Sequence, residues 1–341
     1  MAITVCTDKI TFGDFNASNV PTGMFVSGCI KAECGFCNTD IPGAIGRSAG
    51  YAVGGYKHPG NSDRIDKYSF TSDANATETG DISQGGYNMS GAASETNGYT
   101  MSGGPPTGGD QNIYRYPFAS DTNATDVGQI HTARLDTAGH SSPVAGYTSG
   151  GKAPAVNCSI DKFPFAADNT CFDVGDLEAK RFAMGGHSSL TDGYASGGCA
   201  PTPCSCLSKF PFASDTNASS IGAIGGNNRG CHGGHSSPTS AFMSGGRAPG
   251  PTEIDEIRCF PFSSDNPATD VGTLSKCFFD HSATSSTECG YASGMYVPIA
   301  ISNPDFFGGN HITKFDFSSS VTGADVGNLT QARRSSAGFQ Q

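Results

Sequence analysis

An aromatic strand, an acidic turn and a glycine recur seven times along the chain, and this repetition limits the fold more than any other feature. The fullest copy reads IDKFPFAADNTCFDVGDL from Ile160. Anchoring phenylalanines stand at Phe12, Phe70, Phe118, Phe165, Phe212, Phe262 and Phe317, so the steps are 58, 48, 47, 47, 50 and 55 residues. Self-similarity at forty to fifty residues marks a stacked or circular repeat architecture. Such repetition points to a scaffold before it points to an active site.

Aligning the copies gives one unit of four short segments. The first is a small, alternating stretch, TARLDTAGHSS at 132–142. The second is GYTSGG at 146–151, with relatives at 50–55, 98–104, 193–198 and 241–246. The third is of the IDKFPF type and the fourth carries DVG. Each is bounded by Gly, Pro, Asn, Asp or Ser and is partly β-branched or aromatic, which reads as a strand. No stretch keeps a 3.6-residue apolar period, so no helix is expected.

Four antiparallel strands in each of seven units predict an all-β, seven-bladed β-propeller over residues 1–341 as a single domain. An insertion at about 22–40 and a long loop at 295–311 would decorate it. The C-terminal QARRSSAGFQQ matches the first-strand pattern, and the N-terminal AITVC falls where a second strand is due. Both ends are therefore expected to close one blade and remove the exposed sheet edges.

The order small strand, Gly-Gly strand, aromatic strand, outer strand resembles the kelch repeat, with Arg134 and His140, and Arg181 and His187, at the kelch Arg and His positions. Kelch blades usually carry an outer-strand tryptophan, and this chain has none. The longer pattern, from IDKFPFA(S/A)D through NATDVG and AGHSS to GY.SGG, is similar to a family of propeller-like repeat proteins of marine tailed bacteriophages. That resemblance implies a virion or tail-appendage protein.

Composition narrows the function. A net charge of −11 argues against a nucleic-acid partner, which would call for a basic patch. No apolar run is long enough for a membrane span, and the start lacks a secretory pattern. The expectation is synthesis in a host cytoplasm without a signal peptide, followed by display on a virion. The thirteen cysteines are an odd number, so at least one is unpaired within the chain.

Several residue groups could carry chemistry. Asp121, Asn123, Thr125 and Asp126 alternate oxygen donors as calcium loops do, but lack the closing bidentate acid; Asx turns explain the same pattern. The Asn-Ala-Thr or Asn-Ala-Ser triplets at Asn16, Asn75, Asn123 and Asn217 read as turns rather than glycosylation acceptors. His140, His187, His235 and His281 are placed at one equivalent inner-strand position, with Ala92, Phe339 and Tyr51 in the other blades. They could share a metal, or hydrogen-bond the neighbouring blade. Cys231 and Cys277 are read as equivalent, small buried residues. Cys29, Cys34 and Cys37, and Cys199, Cys204 and Cys206, form two clusters for which disulfides, free thiols and a metal all remain open. No nucleophile elbow, P-loop or dinucleotide motif is present.

The connections leaving strands two and four vary between copies while the NAT turns stay constant, and varied loops on a fixed frame are where recognition is placed. His58, Asp110, Phe306 and Phe307 lie in those loops as candidate partner contacts. The function expected is a non-enzymatic structural or adhesion protein of a phage virion, without a cofactor. Its partners would be other virion proteins, a host-surface glycan, or copies of itself, with no nucleic acid and no membrane insertion. A secreted or cell-surface lectin-type module is the alternative, and a kelch-type metal oxidoreductase a more distant one.

Overall fold

The computed structural model describes residues 3–6, 9–12, 48–104, 109–167, 171–200, 202–250, 252–264, 267–277, 279–296, 308–317 and 321–341. Six sheets, each with a core of four antiparallel strands, are arranged around one axis as a β-propeller; Val321–Thr322 adds a short parallel fifth strand to one of them, and the described residues contain no helix. Blade I joins Ala337–Gln340 to Ala49–Val53, Arg64–Ser69 and Thr77–Asp81. Blade II holds Ser90–Ala93, Asn97–Met101, Asp110–Pro117 and Thr125–Arg134. Blade III is Ala138–Ser141, Ala145–Ser149, Ser159–Pro164 and Phe172–Asp176. Blade IV follows with Gly185–Ser188, Asp192–Ser196, Cys206–Pro211 and Ser219–Ala223. Blade V comprises Gly233–Ser236, Ser240–Ser244, Glu256–Pro261 and Thr269–Thr273. Blade VI is Ser282–Ser285, Cys289–Met295, Gly309–Asp316 and Ala324–Arg333. In every blade the first-named strand is innermost.

The blade number corrects the expectation of seven. The aromatic copy at Phe12 lies in a hairpin of Ile3–Cys6 with Lys9–Phe12 that pairs with no other described strand. Closure does use the C-terminus, but Ala337–Gln340 pairs directly with the GYAVGG strand, and AITVC takes no part.

The reason lies in what the anchoring phenylalanines do. Each stacks on the second-strand aromatic of the preceding blade: Tyr51 with Phe118, Tyr99 with Phe165, Tyr147 with Phe212, Tyr194 with Phe262, Phe242 with Phe317 and Tyr291 with Phe70. Ring centroids are 4.3–5.3 Å apart and interplanar angles 19–28°. Such offset stacks add about 0.5–1.5 kcal/mol each beyond the area they bury. The chain supplies six second-strand aromatics, and six anchors use them.

Near the axis the strands crowd. Gly91, Gly139, Gly186, Gly234, Ala283 and Gly338 occupy one equivalent position. A β-carbon on any of the five glycines would collide with the carbonyl oxygen of its counterpart in the preceding blade. Only the smallest residues let inner strands come this close.

At one end of the axis, Asn88, Asp136, Ala183, Cys231, Asp280 and Ser335 all take φ of 55–58°. This left-handed region is uncommon outside glycine. Each donates its backbone N–H to the carbonyl of its counterpart in the preceding blade, closing a ring of six hydrogen bonds of 2.5–3.0 Å. Two residues before four of these positions stand Arg134, Arg181, Arg229 and Arg333, fully buried. Each guanidinium reaches into the following blade, to the carbonyls of Thr148, Gly197, Gly245 and Ala52. Arg134 and Arg333 also pair with the buried Asp161 and Asp66 at 3.1 and 3.2 Å. The Gly-Gly pairs turn beneath them, with Gly150 and Gly151 at φ 62° and 102°.

Deleting Ala337–Gln341 removes the innermost strand of blade I and should abolish the cooperative melt. A chain beginning at Ser48 should melt within a few degrees of the full-length protein. Thermal denaturation followed by circular dichroism checks both, and a large loss in the second would mean that residues 1–47 stabilise the ring.

Candidate functional site

The amide ring forms the inner lip of a bowl of about 100 Å³, floored by His232 and His281. A longer cavity of about 150 Å³ continues along the axis between the inner strands. Around the bowl, the residue after each second-strand turn (Gly-Gly in four blades, Ser102-Gly103 and Gly294-Met295 in the other two) bridges to the residue just before the amide ring. These pairs are Tyr56 with Arg334, Gly104 with Tyr87, Lys152 with Leu135, Cys199 with Phe182, Arg247 with Gly230 and Tyr296 with Phe279. The backbone positions repeat six times, yet the side chains differ from blade to blade.

Charge is concentrated here. Lys152 Nζ lies 2.8 Å from Asp136, and an Arg334 guanidinium nitrogen lies 3.2 Å from Asp280. Burial raises the pKa of both acids, against the pull of these cations. Burial also pushes the Cys231 thiol well up, and Asp280 adds to the effect. A thiol in such surroundings stays protonated at neutral pH and makes a poor nucleophile. Lys152 sits 4.2 Å from the Phe182 ring centroid, and Arg334 lies over both Tyr56 and Tyr296 at 5.2 and 5.1 Å.

The histidines divide into two sets, which corrects the sequence alignment. His140, His187 and His235 share one inner-strand position, and its occupant in blade VI is Thr284, not His281. Ala92 and Phe339 fill it in blades II and I, whereas Tyr51 belongs to a second strand. His281 is the counterpart of His232, three residues earlier. A shift of three residues in the CFFDHSATSS segment produced the mismatch.

Each of the first three donates Nδ1–H to the next blade, to the carbonyls of His187, His235 and Thr284, at 2.9–3.1 Å. A carbonyl can only accept, so the proton is on Nδ1 and Nε2 is an acceptor. Nε2 meets Ser149, Ser196 or Ser244 at 2.8–2.9 Å. Ser196 and Ser244 also touch Nε2 of His232 and His281 at 2.9 Å, so these two rings donate from Nε2. Burial drops the pKa to about 4 for His140 and His187 and to about 3 for His235 and His281. These rings staple blades in their neutral form, and no metal-binding trio of His, Cys, Asp or Glu occurs among the described residues.

The NAT turns are staples too. Asn123, Asn217 and Asn75 accept the N–H of Asp81, Asp176 and Asn328 in the preceding blade at 3.0–3.1 Å. Asp121 pairs with Lys67 across the same boundary and accepts from the Tyr116 hydroxyl. Asp126 accepts the N–H of Gly128. The donors of the candidate calcium loop are thus engaged as turn and interblade contacts, and Thr125 opens the outer strand of blade II. Asn16 lies outside the described residues.

Among the other candidates, Cys231 aligns with Asp280 on the amide ring, and Cys277 is exposed, so the two are not equivalent. Cys199, Cys204 and Cys206 are free thiols in this structure, with burial raising Cys199 and Cys206 to about 11. Asp110 accepts the N–H groups of Gln111 and Asn112, shaping the start of its strand. His58 is exposed in the connection of a short hairpin, Tyr56–Lys57 with Gly60–Asn61. Phe306, Phe307, Cys29, Cys34 and Cys37 lie outside the described residues. Sequence reasoning missed the rim. The signal was there in the residue that follows each Gly-Gly pair.

Comparison with family models and with curated proteins returns no match.

The histidine network fixes a pH response. Folded pKa values near 3–4 lie below the unfolded value of about 6.5, so the unfolded chain takes up protons first as pH falls. The stability these rings confer is complete above about pH 6.5 and is lost as pH drops toward 4, by about 3 kcal/mol per ring. His187→Gln should lower the melting temperature at neutral pH and flatten its dependence on pH across that window. An unchanged slope would show that His187 does not titrate with unfolding.

Proposed function

We propose that the protein is a non-enzymatic binding component of a tailed-phage virion, a kelch-like propeller displayed on a fibre, tail or capsid. It would hold another virion protein or a host-surface glycan through the face that carries the Gly-Gly connections. The observation behind this reading is the contrast between the two faces. On the NAT side, the repeated polar side chains are spent on neighbouring blades. Around the bowl, Tyr56, Gly104, Lys152, Cys199, Arg247 and Tyr296 occupy one backbone position with five different residue types. A fixed backbone bearing varied side chains suits recognition.

The buried arginines and consecutive left-handed glycines support the kelch-like assignment. The non-enzymatic reading draws support from the bowl itself. Its thiol is held protonated, its carboxylates are paired with cations, and the Nε2 atoms of its histidines are tied to serines. No activated nucleophile–base pair results.

Mass spectrometry of density-purified particles tests the virion assignment. The protein should be recovered with the particles in a fixed ratio to known structural components and should survive a high-salt wash. Recovery only from the soluble fraction would favour the secreted or cell-surface lectin-type module instead.

A further inference from the structure

Half of the bowl's rim is a single ladder of aromatic rings and guanidinium groups. Arg247 lies 5.5 Å from the Phe279 ring centroid, Phe279 is 4.7 Å from Tyr296, and Arg334 bridges Tyr296 and Tyr56. Tyr56 then meets Tyr87 at 6.1 Å. Phe279 is buried, while Tyr56, Tyr87 and Tyr296 are half-exposed at the mouth. Across the bowl stands the Lys152–Phe182 pair.

Three properties of this rim restrict its ligand. First, the backbone is already used: the amide ring and the six bridge pairs consume amide and carbonyl groups around the mouth. A peptide strand would find little main chain to pair with, so recognition falls to side chains. Second, Lys152 with Asp136 and Arg334 with Asp280 set donors beside acceptors. A hydroxyl group both donates and accepts, and such pairs serve both needs. The tyrosine faces offer apolar surface for the C–H side of a pyranose ring. Third, Arg247 is exposed and forms no ion pair among the described residues. In a protein of net charge −11, this cation stands at the mouth with its backbone bridged to that of Glu253 and its side chain outside any ion pair of the described residues. A guanidinium held against a ring is well placed for bidentate capture of a carboxylate.

We propose that the mouth binds a terminal acidic monosaccharide of a glycan, a uronic or sialic acid. Its ring rests on the tyrosine arc, its carboxylate meets Arg247, and one substituent enters the bowl. The bowl, of about 100 Å³, has room for a hydroxyl or acyl arm. The inference rests on the loop-face reading above and supplies the ligand class.

The test uses the full chain and immobilised oligosaccharides ending in glucuronate or N-acetylneuraminate, beside the same glycans ending in a neutral sugar and beside an acidic peptide. Acid-terminated glycans should bind at least tenfold better than neutral ones, with affinity falling as salt rises. Arg247→Gln should lose about tenfold or more at an unchanged melting temperature, and Arg247→Lys should recover part of the loss. Because Arg247 is exposed, both variants should fold, and a thermal melt confirms it. Equal binding of acidic and neutral glycans, an Arg247→Gln variant that binds as well as the parent, or binding of the acidic peptide alone would each overturn the proposal. Particle mass spectrometry reads the virion assignment separately: a virion protein with no preference for acidic glycans defeats this inference alone. A glycan binder absent from particles defeats the virion assignment alone.

Discussion

Close approach of six inner strands around one axis is the constraint on which everything else depends. The five axial glycines permit it, since any β-carbon would strike the neighbouring carbonyl, and the ring of six amide-to-carbonyl bonds uses it. That ring holds six non-glycine residues in a left-handed conformation, which persists only where the surroundings over-determine it. Here the surroundings are the other five members. Each blade's strain is relieved by a bond to the next, so the ring is worth most when complete. The C-terminal strand of blade I supplies the last inner strand.

Around that axis polar contacts join the blades alongside apolar packing, in a chain with 36% hydrophobic residues. The GHSS motif can be taken residue by residue. Gly139 makes room at the axis, and His140 donates to the carbonyl of His187. Ser141 accepts the N–H of Ala93, and Ser142 caps the turn by accepting from Ala145. Arginine, asparagine and lysine perform the same joining farther out. Each boundary also packs an apolar cluster around its aromatic stack, as Leu207, Ile224, Met243 and Phe260 do around Tyr194 between blades IV and V. Repetition in the sequence is therefore repetition of an interface, because each blade must match its neighbours on both sides.

The features proposed to bind a ligand arise where that repetition lapses. The residue after the second-strand turn keeps its backbone bridge in all six blades while its side chain differs from blade to blade, and there Lys152, Arg247 and Tyr296 appear. On the amide ring, Asp136 and Asp280 replace the neutral members and meet cations from the rim. The mouth thus acquires paired charge and aromatic surface without disturbing the frame beneath. The histidines show the converse. A repeated inner-strand imidazole suggests a metal ring, yet its nitrogens are committed to a carbonyl and a serine in each blade, and burial keeps it neutral.

The all-β class, the four-strand unit and the propeller were legible in the sequence, because strand length, turn residues and period are local properties. Blade number was only partly so. Counting anchor phenylalanines gives seven, whereas counting the aromatics on which they stack gives six, and that pairing is a contact between blades. The same limit misplaced His281 and Cys277: a register shift of a few residues is invisible until hydrogen bonds show which carbonyl each ring reaches. The varied loops could be seen in the sequence, but not the ladder from Arg247 to Tyr87, whose members come from blades I, II, V and VI. Sequence settles what each segment can form on its own. Which segments meet at the axis, and what their side chains then build, is decided only when the ring closes, because closure brings residues hundreds of positions apart to within a few ångströms.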